Sequence, residues 1–547
     1  MVFAAAFALY LATLCPGIWV GDSGELIAAA EGLGIPHPTG YPLWLLLNKA
    51  FTLLVPFGSV AWRINLCSAL CAAGAAQLLA ATLRRLGCGR AAAAGAGLAF
   101  ACLVPIWGEA TVARTYPLAA LFSAALWWCG ARLLREGAAR WLLLHQLLLG
   151  FGLANHTMVV AQLPVLALIV LSRARPLLRR PGVWAAALLL PLPGLATYAY
   201  LPLRAAAEPA LEFRVPLREA DGRMRTAELD EPRALLAYLR RDTHHERRWA
   251  EGIADHATIA SHHLATAAKE WSPLGAALLL LGAVAAWRGG LRVVLLAVVA
   301  AWATNLAPLA LHGAWWDIFL YSRYLTAGFV AQALLVGLGL DFLLRRLAAR
   351  SGSLRPAVAV PAALALPLLL GALHWRACDR RDAWLAEDYG RALLAELPTG
   401  AQYIGAGDVA LYPLLALRYG EGLRPDVELV SRAQRKAEAD LVLAAQAARR
   451  GEPPPATVRP LFTADLATGA QEQLLMERQG LLWRLALPGT PAAPPSADWT
   501  PPVIRGLERD ERDPFARSAI GVIEAALADA AAMRGRRDEA RTRLERV

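Results

Sequence analysis

A carboxylate able to take a proton from a hydroxyl, and cations able to hold a departing phosphate, are both present in this chain at recurrent positions. Asp22 and Glu25 follow an apolar N-terminal run, and His37 and Tyr41 stand a little further on in a stretch rich in Gly and Pro. Arg63 and Asn65, then Glu109, Arg114 and Tyr116, then Asn155 and His156, then Arg204, and finally Asp317, Arg323 and Tyr324 each stand at the edge of an apolar run. Ionisable groups at membrane segments are costly unless they are paired or face water, so their default reading is functional. A carboxylate suits general-base work on a hydroxyl. Arginine suits the phosphate, because its planar fork pairs with the oxygens and stays charged.

Structural roles compete with these. Asp22 and Glu25 have the spacing of a capping box, in which both side chains satisfy backbone N–H groups at a helix start. Arg63 can mark a membrane interface, Arg204 can snorkel, and Asn155-His156 can cap helices. His244, His245, His256, His262 and His263 match no compact metal-ligand spacing. Trp315, Trp316 and Tyr321 fit an interfacial aromatic belt, although the same rings can stack on a sugar.

The elements that must position these residues are mostly membrane helices. Of the 547 residues 57% are hydrophobic and 18% charged, where soluble proteins carry about 25% charged residues. The net charge of +11 is nearly all arginine, with Lys only at Lys49, Lys269 and Lys436. Those arginines cluster between apolar runs, which fits membrane anchoring and excludes a phosphate-tracking nucleic-acid surface. The cysteines show neither a disulfide framework nor a zinc spacing. Met1 to Leu14 lacks a basic leader and reads as a first membrane helix rather than a signal peptide.

Apolar runs predict about eleven spans, near 1–16, 62–83, 91–107, 117–134, 141–155, 157–172, 182–203, 273–287, 293–312, 325–344 and 356–375. Residues 41–56, bounded by Pro42 and Pro56, are read as interfacial rather than crossing. Residues 17–61 then form one external loop. Five arginine clusters, at 84–90, 132–140, 173–180, 288–292 and 345–355, fall on the opposite side, which the positive-inside rule makes cytoplasmic. Outside lie the first loop, a long insert at 204–272 and everything after 375.

After residue 375 the pattern changes. Ala401–Gly405, Val427–Val430, Thr457–Thr463 and Gly480–Leu487 read as strands, with a helix starting at Asp408, so 376–490 is expected to form a small external α/β domain. A proline-rich linker spans 488–502, and 503–547 is a helical, tetratricopeptide-like segment with one helix pair, too little to establish a repeat. The fold class is mainly α, a polytopic membrane bundle (1–375) with these two external parts.

Gly21-Asp22-Ser23-Gly24-Glu25, then Gly34-Ile35-Pro36-His37-Pro38-Thr39-Gly40-Tyr41-Pro42, then Pro56-Phe57-Gly58 through Arg63-Ile64-Asn65 resemble a bacterial membrane-protein family. That family is related to the animal transmembrane O-mannosyltransferase that modifies plexin-type receptors, and more broadly to the GT-C superfamily of lipid-phosphate-sugar glycosyltransferases. The resemblance continues through Tyr116-Pro-Leu, Asn155-His156, Tyr200-Leu-Pro-Leu-Arg204, Arg323-Tyr324 and Gly407-Asp408, and departs at Arg114, where a glutamate is expected, and at Thr39, where a second proline is usual. It implies a GT-C-like catalytic domain and an inverting transfer of a sugar, mannose in the family, from a polyprenyl-phosphate carrier to an acceptor hydroxyl on protein or glycan. Asp22 is implied as catalytic base with Glu25 assisting, and His37, Tyr41, Arg63, Tyr116, Asn155, His156, Arg204, Arg323 and Tyr324 as substrate-binding. Neither a cofactor nor a metal site is indicated, and nucleic acid is not an expected partner. The Ala/Arg-rich usage suggests a bacterial inner-membrane protein with 17–61, 204–272 and 376–547 periplasmic. Two rivals remain from the residues themselves: a transporter of a lipid-linked intermediate, for which no internal repeat is visible, and a non-catalytic assembly protein.

Overall fold

A computed structural model describes residues 1–547 except 220, 222, 243–252, 312–321, 351–355, 406, 432–449, 451–460, 465–474, 487–498 and 509–512. His244, His245, Trp315, Trp316, Asp317, Tyr321, the start of the predicted 457–463 strand and most of the 488–502 linker lie outside the described residues, as does the side chain of His256.

Helices occupy every predicted apolar run. The first are α1 (Val2–Ala12), α2 (Ser23–Gly32), α3 (Pro42–Leu54), α4 (Val60–Leu86), α5 (Arg90–Ala101), α6 (Val104–Ala110), α7 (Tyr116–Glu136) and α8 (Ala139–Asn155). Later come Gln162–Arg173, a broken stretch from Pro181 to Ala205, Ile253–Arg288, Arg292–Leu311, Thr326–Arg350 and Pro356–Cys378. Among the described residues, six helices are long and apolar enough to cross a membrane, or seven if α5 and α6, bent by 67°, form one span. The expected count of eleven is therefore not reached by length. Val2–Ala12 and Thr157–Arg173 are too short against the ~20 residues a spanning helix needs, whereas Arg292–Leu311 reaches 20. The bend at α6 follows from Pro105 near its start, where the missing N–H is tolerated, and the Glu270 carboxylate accepts from the Val104 N–H at 3.1 Å.

Residues 42–54 form one short apolar helix. The 13 residues of α3 reach only about 20 Å at 1.5 Å per residue, short of a hydrocarbon core of roughly 30 Å. Its Trp44, Leu45, Asn48 and Thr52 are buried, while Leu46, Leu47, Leu53 and Leu54 are exposed, the two-sided character of a helix lying along an interface. Arg63 closes its end, donating from Nη1 to the Thr52 and Val55 carbonyls at 2.6 and 3.2 Å.

Three of the arginine clusters meet at one end of the bundle. Arg135 donates to the Arg85 and Leu86 carbonyls at 3.0 and 2.8 Å. Arg345 donates to the Gly87 carbonyl at 2.7 Å, and Asp341 accepts from the Gly89 N–H at 2.6 Å. Carbonyls at a helix C-terminus need such donors, and its negative dipole end favours cations.

At the other end sits a mixed sheet in the order β4-β3-β5-β7-β6, beyond a separate hairpin of β1 (Val215–Arg218) and β2 (Met224–Ala227). The strands are β3 (Gln402–Gly405), β4 (Glu428–Ser431), β5 (Leu461–Thr463), β6 (Leu475–Gln479) and β7 (Leu482–Ala486). β3 pairs parallel with β4 and β5, while β7 pairs antiparallel with β5 and β6. β6 was not expected from the sequence, because Glu477 and Arg478 interrupt its apolar alternation.

The part of the chain after Cys378 shares its core with the stretch around α2. Ile18, Leu26 and Ile27 pack in one cluster with Tyr389, Leu393, Tyr403 and Leu414, and with Ala519 and Ile523 of the helix Pro514–Ala532. Contact at α2 is closest at Gly24, where a Cβ would lie 2.2 Å from the Tyr412 carbonyl oxygen. Only a residue without a side chain fits there.

Candidate active site

Asp22 immediately precedes α2, but the capping box is not formed. Its side chain makes no cap hydrogen bond and is drawn instead to Arg114, whose Nη1 lies 3.7 Å from Asp22 Oδ2. Arg114 is 1% exposed; its Nη2 donates to the Val20 carbonyl at 2.8 Å and its Nε lies 3.7 Å from Glu109 Oε2. Glu109 reaches Arg323 at 3.8 Å. The result is an alternating chain, Asp22–Arg114–Glu109–Arg323. In it Asp22 is the acid a substrate can reach, its side chain 29% exposed against 15% for Glu109 and 6% for Glu25. Burial opposes ionisation of Asp22, but Arg114, with His37 and Arg323, outweighs it and holds the carboxyl down at about 2.

Glu25 does not reach back to cap either. Its two oxygens are taken by His37, one by the backbone N–H at 3.0 Å and one by Nδ1 at 2.5 Å. Burial works against a charged His37 imidazole, but the Glu25 carboxylate prevails and its pKa is raised. His37 Nε2 lies 3.1 Å from the Tyr41 hydroxyl. Glu25 and His37 thus fix the loop that carries Asp22, with each other as partners.

Tyr41, His156, Tyr116 and Tyr324 form a wall of rings, with successive centroids 6.1, 5.4 and 5.8 Å apart. Burial pushes His156 down to about 3, helped by the charges of Arg241 and His37, so the ring is neutral. The Arg323 guanidinium lies 5.7 Å from the Tyr116 ring centre. Asn155 is fully buried and donates to the Thr115 carbonyl at 3.2 Å, tying α8 to the start of α7.

Two expected substrate contacts are occupied by backbone. Arg204 donates from Nε to the Leu33 carbonyl at 2.7 Å, closing the C-terminus of α2. Arg63 closes α3 in the same way. The structure brings Asp22, Glu25, His37, Tyr41, Tyr116, Asn155, His156, Arg323 and Tyr324 to one end of the bundle, and sets Arg63 and Arg204 to holding the loop.

Sequence reading missed several members. Asp408 belongs to the external sheet domain, yet burial and the charge of Asp22 raise its carboxyl to about 6, against the opposing pull of Arg114 and Arg323. Tyr412 is likewise raised, first by Glu25. From the insert, Tyr238 donates to the Pro36 and His37 carbonyls at 2.6 and 3.2 Å, and the charge of Arg241 acts on His37, Tyr41 and His156. The available signals were the resemblance at Gly407-Asp408 and an acid placed shortly after a strand. Among the described residues no group of three His, Cys, Asp or Glu is placed to hold a metal.

The stretch that builds this site is also where relatives are found. Residues 22–178 match the family described as Protein O-mannosyl-transferase TMEM260 N-terminal domain. Through that stretch the chain is similar to that family. It is 43% identical over 121 residues to Protein O-mannosyl-transferase TMEM260 of Mus musculus, 22% of this chain and 17% of the mouse protein. It is 38% identical over 72 residues to Protein O-mannosyl-transferase tmem260 of Dictyostelium discoideum, 13% of this chain and 9% of that protein. The chain thus matches less than a fifth of the length of either TMEM260 relative. The crystal structure of ArnT from Cupriavidus metallidurans in the apo state aligns over 90% of this chain and 98% of its own, with a TM-score of 0.54 and 13% identity. The shared feature is the fold. The TMEM260 match begins at Asp22 and includes Glu25, His37, Tyr41, Glu109, Arg114, Tyr116, Asn155 and His156; Arg204, Arg323 and Asp408 lie beyond it.

Proposed function

We propose that this protein is an inverting glycosyltransferase that moves a sugar, mannose by relation to TMEM260, from a polyprenyl-phosphate carrier to an acceptor hydroxyl on protein. The observation that carries this reading is an ionised, reachable Asp22 held by Arg114 beside Arg323 and a wall of rings. In the step, the acceptor oxygen bonds to the anomeric carbon, the bond from that carbon to the phosphate oxygen breaks, and the electron pair leaves with the phosphate. The hydroxyl proton passes to Asp22. A carboxyl near 2 is a weak base, so it takes the proton late, once the attacking oxygen has become acidic by bonding. A single displacement needs one base and no second nucleophile.

Phosphate charge is met by guanidinium groups. Arg323 and Arg241 are the arginines placed for this, since Arg204 is committed to the Leu33 carbonyl. The rings of Tyr41, His156, Tyr116 and Tyr324 line the sugar and carrier side. No metal or cofactor enters this reading, so EDTA leaves the rate unchanged. The membrane is the bacterial inner membrane in this account, with the site on the periplasmic face.

The test is purified protein in liposomes with radiolabelled polyprenyl-phosphate mannose and a Ser/Thr peptide. Label appearing on the peptide supports the transferase. Label crossing the bilayer still attached to its carrier supports a transporter instead, and neither outcome supports an assembly protein.

A further inference from the structure

Beyond Asp22, a cavity of about 370 Å³ lies between the sheet and the helix Pro514–Ala532, lined by Asp408, Arg478, Trp483, Val522, Ala526 and Asp529 among others. That volume lies within the ~300–1,000 Å³ range of ligand sites. We propose that this cavity is the acceptor subsite, and that its occupant is an extended, uncharged polypeptide segment next to the hydroxyl being modified. The proposal rests on the transferase reading above for the identity of the reaction, and on the cavity's own chemistry for its occupant.

The wall carries both kinds of hydrogen-bonding group. Arg478 is 6% exposed, its Nη2 donates to the Ala526 carbonyl, and its Nε has no hydrogen-bond partner among the described residues. The Trp483 Nε1–H, also buried, has none among them either. Unpaired buried donors are costly, and a ligand that satisfies them is favoured. Asp408 and Asp529 also line the cavity and bring carboxylates to it. Two acids disfavour a phosphate and the arginine disfavours a cation, whereas a peptide bond offers a carbonyl to the donors and an N–H to the acids. A sugar would also offer both, but its usual platform is taken: the Arg478 guanidinium covers Trp483, 4.9 Å from the ring centre. Val522 and Ala525 add an apolar rim for side chains.

Asp408 joins the cavity to the reaction site. It lines the cavity, and four residues on, the Tyr412 carbonyl meets Gly24, two residues after Asp22. The cavity wall and the loop that carries Asp22 are thus joined through residues 408–412.

The experiment uses the full chain in detergent and a dye-labelled, acetylated and amidated octapeptide of Ser, Thr, Val and Ala, followed by fluorescence anisotropy without donor. Val522 is 43% exposed at the rim, so Val522→Trp fills the cavity without disturbing the core, and Asp529→Asn changes one acceptor. The expected result is peptide binding by the wild type, weakened at least tenfold by Val522→Trp and measurably by Asp529→Asn, with unchanged thermal midpoints. Equal affinity in Val522→Trp, no binding by the wild type, or displacement by a neutral oligosaccharide but not by unlabelled peptide overturns the proposal. Binding that depends on Val522 in a protein that never transfers the sugar upholds the subsite and sinks the transferase reading instead.

Discussion

His37 shows how one residue's chemistry couples the loop to pH. Its pKa is raised over that of a free imidazole by Glu25, so the stabilisation is complete below the unfolded value of about 6.5 and is lost as pH rises through the folded value. His37→Gln is therefore expected to lower stability by about 1–3 kcal/mol, the range for a hydrogen bond to a charged group, at pH 6 and by less at pH 9. Thermal unfolding in detergent at the two pH values checks this; an equal deficit at both would mean the imidazole is neutral in the fold. At this scale the sequence was legible for residue type and misleading for partner. Asp22 and Glu25 do stand at a helix start, yet each turns to a charged group from elsewhere in the chain, Arg114 and His37, because an ion pair outcompetes a local backbone cap. No spacing rule reaches a partner 92 residues away. The departure at Arg114, where the family resemblance expects an acid, is the residue that keeps Asp22 ionised.

Helices and loops explain why the first external stretch can be so long. α3 is closed by Arg63, α2 by Arg204, and the loop between them is held by Glu25 and Tyr238. α2 in turn presses on the external domain at Gly24. Gly24→Ala would place a Cβ 2.2 Å from a backbone oxygen, and because backbone cannot swing aside, a loss of at least about 1–3 kcal/mol is expected. The measurement is the thermal midpoint together with protease sensitivity of residues 376–547; a variant as stable and as resistant as wild type would show that this contact does not dock the domain. Apolar periodicity made the helices and four strands, β3, β4, β5 and β7, legible. It could not show that Asp408 and Asp22 lie close enough for their charges to act on each other, since that depends on how two parts of the chain pack.

For the molecule as a whole, charge is sorted by end: arginines gather where α4, α7 and Thr326–Arg350 finish, and acids with aromatic rings gather at the other. That sorting predicts topology. All seven cysteines are free and buried, so an added exposed one reports cleanly. Arg140→Cys should be labelled by a membrane-impermeant maleimide only after permeabilisation, and Asp221→Cys in intact cells; the reverse pattern would invert the orientation. The arginine clusters yield an expected orientation that this labelling tests, whereas the number of crossings was not legible, because the runs break at Thr13, at His156 and beside Pro105. The central claim, that Asp22 is the base of sugar transfer at the external end, has a direct test in Asp22→Asn. Purified variant and wild type are compared for transfer of radiolabelled mannose from the polyprenyl carrier, beside their thermal midpoints and donor binding. Transfer should fall by about 10²–10⁴-fold, the usual contribution of a positioned base, with folding and donor binding retained. Near wild-type transfer by a folded Asp22→Asn protein would contradict the account.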